Sequence, residues 1–187
     1  TAVAFATECI DRLHTTAESH QRVMVVEVMG RYAGWIALHA GIAGSVQAIL
    51  IPEIPFNLEH VAAKIRSRDS AGRMYSIVVV AEGAEPAGGH REIVEAAEIG
   101  HAERLGGIGE RVAKVLQEKT DKDARVVVLG HLLRGGSPTS FDRLAALRFG
   151  SAAVRGLAEG RSGVMVALAF PNVNYVALED VAGRMKG

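Results

Sequence analysis

The stretch Arg125-Val-Val-Val-Leu-Gly-His131-Leu-Leu-Arg134-Gly-Gly-Ser-Pro-Thr-Ser-Phe-Asp142-Arg143 decides how the rest of the chain is read, because an apolar run ends there in groups suited to an anion. Val126 to Leu129 is short and rich in β-branched residues, which predicts a strand buried on both faces. The run stops at Gly130, with His131 and Arg134 just beyond, and ligands of open parallel sheets bind at that end of the strands. Gly135 and Gly136 allow a sharp turn, and Ser137-Pro138 predicts an N-cap followed by Pro at the first helical position. A helix N-terminus is thereby expected beside His131 and Arg134. An Arg fork, an imidazole and free amides suit a phosphate or carboxylate, whereas a purely structural loop would need only the glycines and the cap.

Working outward, strands and helices alternate. Apolar residues recur at helical spacing from Val3 to Leu13, and an apolar run follows from Val23 to Val28. Tyr32 to Ala43 reads as a helix, Ala48 to Ile51 as a strand ending at Glu53, Leu58 to Ile65 as a helix, and Ile77 to Val80 as a strand ending at Glu82-Gly83. A long connection between Glu85 and Gly107 is expected to hold a short helix around Arg91 to Ala97. A helix from Ile108 to Gln117, the central strand, a helix from Pro138 to Leu157, strands at Gly163 to Ala169 and Val173 to Val176, and a last helix from Leu178 complete the pattern. The fold class is therefore α/β, three-layered, with a mainly parallel sheet whose carboxyl edge carries Glu27 to Arg31, Glu53, Glu82 and His131.

The chain has 187 residues, 49% of them apolar and 22% charged, enough for one good core and a second small one. Lys plus Arg and Asp plus Glu both total 21, so no net charge draws it to nucleic acid or to a membrane surface, and any anion site must be local. The single cysteine, Cys9, excludes an internal disulfide framework and fits a reducing cytoplasm. No signal peptide or bilayer-length apolar run is present. The abrupt start at Thr1, inside what reads as a helix, suggests a piece of a longer chain.

Three further places carry chemistry. In Glu27-Val-Met29-Gly30-Arg31, Gly30 permits close approach of a ligand. Arg31 at a helix start opposes the dipole, which calls for an anionic ligand or a compensating carboxylate such as Glu27, unless Arg31 is a plain surface charge. Glu82 is placed either to accept from sugar hydroxyls or to cap a nearby helix. Arg22 and Arg125 precede their strands and lie at the opposite end from His131. They are either strand-flanking surface charges or parts of a neighbouring subunit's site. Gly106-Gly-Ile-Gly109 follows no predicted strand, so it is not a dinucleotide loop. The seven histidines show no paired ligand spacing.

Taken together, Met29-Gly30-Arg31, Glu82-Gly83 and Gly130-His131-x-x-Arg134-Gly-Gly-Ser-Pro with Phe141-Asp142-Arg143 closely resemble the phosphofructokinases, from Thr1 to about Leu178. The resemblance is to roughly the second half of a bacterial-length member. It implies a Rossmann-like fold, here without the N-terminal donor-binding portion, and transfer of a phosphoryl group from ATP or pyrophosphate to O1 of fructose 6-phosphate in glycolysis. By the same resemblance His131 and Arg134 hold the 6-phosphate and Glu82 the sugar hydroxyls. Met29, Gly30 and Arg31 contact the sugar, with Arg31 also stabilising the transferring phosphoryl group. Arg22 and Arg125 reach a neighbouring subunit's substrate, which implies a homo-oligomer, typically a tetramer. Residues 1–130 correspond to the fructose 6-phosphate-binding domain, 131–170 to a segment returning to the donor-binding domain, and 171–187 to a C-terminal strand and helix.

The family's donor loop, its catalytic Asp motif and the Mg²⁺ they serve would precede Thr1, so the resemblance implies no metal ligand in this chain and little activity from it alone. The alternative is a non-catalytic sugar-phosphate-binding or structural paralogue. Positions matching the allosteric effector pocket carry His14, Gln47, Ala71 and Arg73 where the family uses an Arg, a Glu and two Lys. Effector control is accordingly expected to be lost.

Overall fold

The run Val-Met-Val-Val-Glu-Val forms the central strand β1 (Val23–Val28), all six residues buried. The computed structural model describes residues 1–89, 93–95 and 104–184. Preceding β1 is α1 (Ala2–Ser19), and following it are α2 (Trp35–Ala43), β2 (Ala48–Leu50) and α3 (Leu58–Ser70). Then come β3 (Ser76–Ala81), β4 (Ile93–Glu95), β5 (Arg104–Leu105), α4 (Ile108–Thr120) and β6 (Ala124–Val128). A 3₁₀ turn (Gly130–Arg134), α5 (Ser140–Ala158), β7 (Val164–Ala169), β8 (Asn172–Ala177) and α6 (Leu178–Val181) complete the order.

The principal sheet runs β2-β3-β1-β6 and is parallel throughout. Because successive side chains of a strand point to opposite faces, β1 serves two cores at once. Val23 and Val25 join Val78 and Val80 beneath α3 and α4, among Ile65, Ile108 and Leu116. Met24, Val26 and Val28 join Ile77 and Val79 on the other face, with Ile10 of α1 and Ala37 of α2. Glu27, the odd-numbered position closest to the carboxyl edge, shares the α4 face.

Several details depart from the sequence reading. The strand predicted at Val126 to Leu129 is shifted to 124–128 and lies at the sheet's edge among the described strands; Val126 packs against one core and Val127 against the other, each only partly buried. Val128 is 54% exposed, while Leu129 is buried but already outside the strand. The predicted helix start at Ser137-Pro138 gives way to a later one. Thr139 is the N-cap, its hydroxyl accepting from the Asp142 amide at 3.3 Å while the Asp142 carboxylate accepts from the Thr139 amide at 2.9 Å. This reciprocal capping box satisfies two amides, which a Ser-Pro start would not. Within the stretch expected to hold a short helix at 91–97, Ile93–Glu95 is instead a strand paired antiparallel with β5. The rest of that stretch lies outside the described residues.

Two compact units result, one spanning Ala2–Gly136 and one from Ser137 onward. In the second unit β7 and β8 form an antiparallel hairpin packed against α5. The Tyr175 hydroxyl donates to the Ala152 carbonyl at 2.6 Å, and its ring passes so close to Gly156 that a Cβ there would lie 2.8 Å from it. No described helix is long and apolar enough to cross a membrane.

Candidate functional site

Parallel pairing brings the ends of β3, β1 and β6 side by side, since Val28 is level with Ala81 and Glu27 with Val128. The turn after β1 is stitched to the turn after β3. The Glu82 amide donates to the Val28 carbonyl at 2.9 Å and the Gly83 amide to the Gly30 carbonyl at 3.0 Å. In return the Glu82 carboxylate faces the Gly30 amide at 3.4 Å. Gly83 is obligatory here, because a Cβ would fall 1.9 Å from the Arg31 carbonyl oxygen. On the other side the Leu129 amide donates to the Glu27 carbonyl at 3.0 Å and sets the start of the 3₁₀ turn that carries His131 and Arg134.

These contacts gather Met29, Gly30, Arg31, Glu82, His131 and Arg134 along one edge of the first unit. His131 and Arg134 are exposed, and Arg134 rests its Nε on the Met29 sulfur at 3.4 Å. A thioether is a weak acceptor, so the guanidinium keeps nearly all of its donor capacity. Among the described residues neither Arg31, His131 nor Arg134 has a carboxylate within ion-pair distance. Arg31 lies 5.9 Å from the centre of the Tyr32 ring instead. An edge with two guanidiniums, an imidazole and a carboxylate has the donors for a phosphate and an acceptor for hydroxyls beside it.

The carboxylates near this edge divide their work differently from the sequence reading. Glu27 does not compensate Arg31. It is 4% exposed, and its Oε2 accepts from the Gly109 amide at 2.8 Å, in the first turn of α4. Burial pushes its pKa above the usual carboxylate value, helped by the nearby Glu82 and Glu110, while the amides of Gly109 and Gly107 pull the other way. Gly107, the N-cap of α4, has no side chain to offer, so a strand residue performs the capping. Glu53 accepts from the Gly34 amide at 2.8 Å at the start of α2. Because α2 begins only at Trp35, Arg31 lies in the preceding turn and does not oppose the helix dipole from its first turn. The Gly106 to Gly109 pattern serves α4 and its partner Glu27.

Arg22 precedes β1, whereas Arg125, expected to precede its strand, is the second residue of β6, level with Met24; both lie toward the amino edge, on the order of 15 to 25 Å along the strands from Met29. Both turn toward one acid. Arg22 Nη2 is 3.5 Å and Arg125 Nε 3.3 Å from Asp123 Oδ2. Arg22 Nε is buried with no hydrogen-bond partner. Two guanidiniums thus share the Asp123 carboxylate.

A third place is the cleft of about 530 Å³ lined by His14, Gln47, Arg68, Arg73 and Tyr75. His14 Nε2 donates to the Gly44 carbonyl at 2.7 Å and Nδ1 accepts from the Tyr75 hydroxyl at 3.3 Å. The Gln47 side-chain oxygen accepts from the Ile77 amide at 2.6 Å and its nitrogen donates to the Ser45 carbonyl at 3.0 Å. Both side chains are spent on the protein's own backbone and ring.

A sheet of this order with polar groups gathered at its carboxyl edge defines an open α/β protein with a ligand edge. Residues 1–157 match the family described as Phosphofructokinase. The chain is 55% identical to an ATP-dependent 6-phosphofructokinase of Chloroflexus aggregans over 98% of its own length and 50% of the relative's. It is 52% identical to a pyrophosphate–fructose 6-phosphate 1-phosphotransferase of Amycolatopsis methanolica, covering all of this chain and 54% of that one. Among solved structures, a phosphofructokinase from Saccharomyces cerevisiae superimposes with a TM-score of 0.81 at 30% identity, over 96% of this chain and 23% of that chain. The chain belongs to the phosphofructokinase family, and it spans about half the length of the curated relatives it matches.

Proposed function

We propose that this chain forms the acceptor-binding part of a 6-phosphofructokinase, holding fructose 6-phosphate while a phosphoryl group passes from ATP or pyrophosphate to O1. The carrying observation is the convergence of Glu82, Met29 to Arg31, and His131 with Arg134 at the ends of three adjacent parallel strands. In this reading Arg134 and His131 donate to the 6-phosphate and Glu82 accepts from sugar hydroxyls. Gly30 lets the sugar approach the backbone beside Met29. Arg31, with no carboxylate among the described residues within ion-pair distance, is the cation assigned to the migrating phosphoryl group as charge builds on its oxygens.

The donor is left open between ATP and pyrophosphate, because relatives named for each are more than half identical to this chain. Among the described residues no group of three or more His, Cys, Asp or Glu side chains could hold a metal ion. No role derived for these residues passes through the Mg²⁺ that phosphoryl transfer employs. Arg22 and Arg125, too far from Met29 to share its ligand, are assigned to the substrate phosphate of a neighbouring subunit in a homo-oligomer, typically a tetramer.

Calorimetric titration with fructose 6-phosphate tests the assignment. Arg134→Ala removes a charge-assisted contact of about 2 kcal/mol, or about thirty-fold in affinity. An affinity equal to that of the unaltered chain would remove Arg134 from the site.

A further inference from the structure

Arg31 belongs to the turn 29–34 between β1 and α2, and a turn presents a side chain in one place only where both of its ends are held. The near end is held by the turn after β3. The Gly30 carbonyl accepts from the Gly83 amide at 3.0 Å, and Gly83 packs directly against the Arg31 carbonyl. The far end is Gly34, the N-cap of α2, which has no side chain with which to cap the helix. The group that meets it comes from the segment after β2: Glu53 Oε1 accepts from the Gly34 amide at 2.8 Å. Glu53 thus stands at the carboxyl edge of the sheet with no part in the substrate contacts assigned so far.

We propose that Glu53 is a positioning residue for Arg31: by holding the Gly34 amide it fixes the far end of the turn, so that the guanidinium meets the phosphoryl group on O1 without having to be ordered first. The role rests on the assignment of Arg31 to that phosphoryl group. Three observations support it. Gly34 is matched to the contact, since a Cβ there would lie 2.4 Å from the Ile51 side chain and 3.0 Å from Glu53 Oε2. The turn closes tightly on itself, because a Cβ on Gly30 would lie 2.9 Å from the Ala33 carbonyl oxygen, so a shift at Gly34 is passed on to the residues beside Arg31. Among the described residues no cation lies within ion-pair distance of Glu53, which leaves the Gly34 amide as the contact that orders its exposed side chain. A carboxylate suits this place, since backbone amides at a helix start favour an anionic acceptor.

Two ligands that differ only in the phosphate on O1 separate this role from general support of the fold. Fructose 6-phosphate and fructose 1,6-bisphosphate are each titrated calorimetrically into the unaltered chain and its variants. Glu53→Ala should weaken the bisphosphate about five-fold, the effect of one lost hydrogen bond, and leave fructose 6-phosphate unchanged. Glu53→Asp, which keeps the charge but withdraws it from the Gly34 amide, should do the same and serves if the alanine variant does not fold. Glu53→Gln retains an oxygen acceptor and should bind both ligands at least as tightly as the unaltered chain. In an Arg31→Ala background Glu53→Ala should cost nothing further, because the guanidinium it positions is gone. Equal weakening of both ligands, unaltered bisphosphate affinity in Glu53→Ala and Glu53→Asp, or a full second loss in the Arg31→Ala background would each overturn the proposal. Should Arg31→Ala itself bind the bisphosphate as tightly as the unaltered chain, the assignment of Arg31 fails and the role of Glu53 falls with it, whereas a weakened Arg31→Ala beside an unaltered Glu53→Ala sinks the role of Glu53 alone.

Discussion

At the scale of single residues, what matters most is how little room the site's backbone leaves. Gly83 packs its α-carbon against the Arg31 carbonyl so tightly that even a methyl group would sit 1.9 Å from the oxygen. Backbone cannot give way there as a flexible side-chain tip could, because the same two turns are joined by the Gly83–Gly30 hydrogen bond. Gly83→Ala is therefore expected to cost about 3 kcal/mol or more, or to push the Arg31 turn outward. Chemical denaturation measures the first outcome and loss of fructose 6-phosphate affinity the second. A variant with unchanged stability and affinity would mean that the two turns are not packed as described. The Glu-Gly dipeptide was legible in the sequence as a strand end, but the reason for its glycine was not, since the oxygen it must avoid belongs to a residue 52 positions earlier.

At the scale of elements, β1 and β3 were legible because their six buried residues leave runs rich in valine, interrupted in β1 only by Glu27 and opened in β3 by Ser76. The edge position of β6 was not legible. A run of three valines and a leucine looks the same whether one neighbour or two flank it, and only the assembled sheet order decides. The start of α5 was misread for a local reason: Ser137-Pro138 and Thr139 with Asp142 both carry start signals, and the pair that satisfies more amides prevails. The site residues themselves were named from strand ends and family resemblance. The partner of Glu27 was missed, since alternation assigns it a face but not the helix that covers that face. The same scale governs the cleft between α1, α2 and α3. His14 is tied to Gly44 and Tyr75, and Gln47 is stitched into the start of β3. We propose that this cleft gives no effector response. Fructose 6-phosphate binding is expected to be unaltered by phosphoenolpyruvate or a nucleoside diphosphate, and a marked shift with either would show that the cleft still takes an anion.

At the scale of the whole molecule, the two units differ in how completely they bury themselves. The first carries two cores on either side of its sheet. In the second, α5 buries only Ala152 and Gly156, while Phe141, Leu144, Leu147, Val154 and Leu157 stand 59 to 75% exposed. A helix with that many open apolar side chains is stable only when something else lies against it. The relatives, twice the length of this chain, have the additional polypeptide to supply such a cover.

The separation of Arg22 and Arg125 from His131 and Arg134 has a genetic consequence. If a pocket takes its phosphate grip partly from one subunit and partly from the next, two different lesions need not occupy the same pocket. Arg125→Ala spoils the sites a subunit lends to its neighbour, and Arg134→Ala spoils the subunit's own. Each variant alone would weaken every site, but random pairing of the two should restore full affinity to about a quarter of the sites, because one of the two pockets in each mixed pair then escapes both lesions. Co-expression followed by counting bound fructose 6-phosphate would reveal such complementation, and a mixture that binds no better than its parents would return both arginines to the role of ordinary surface charges.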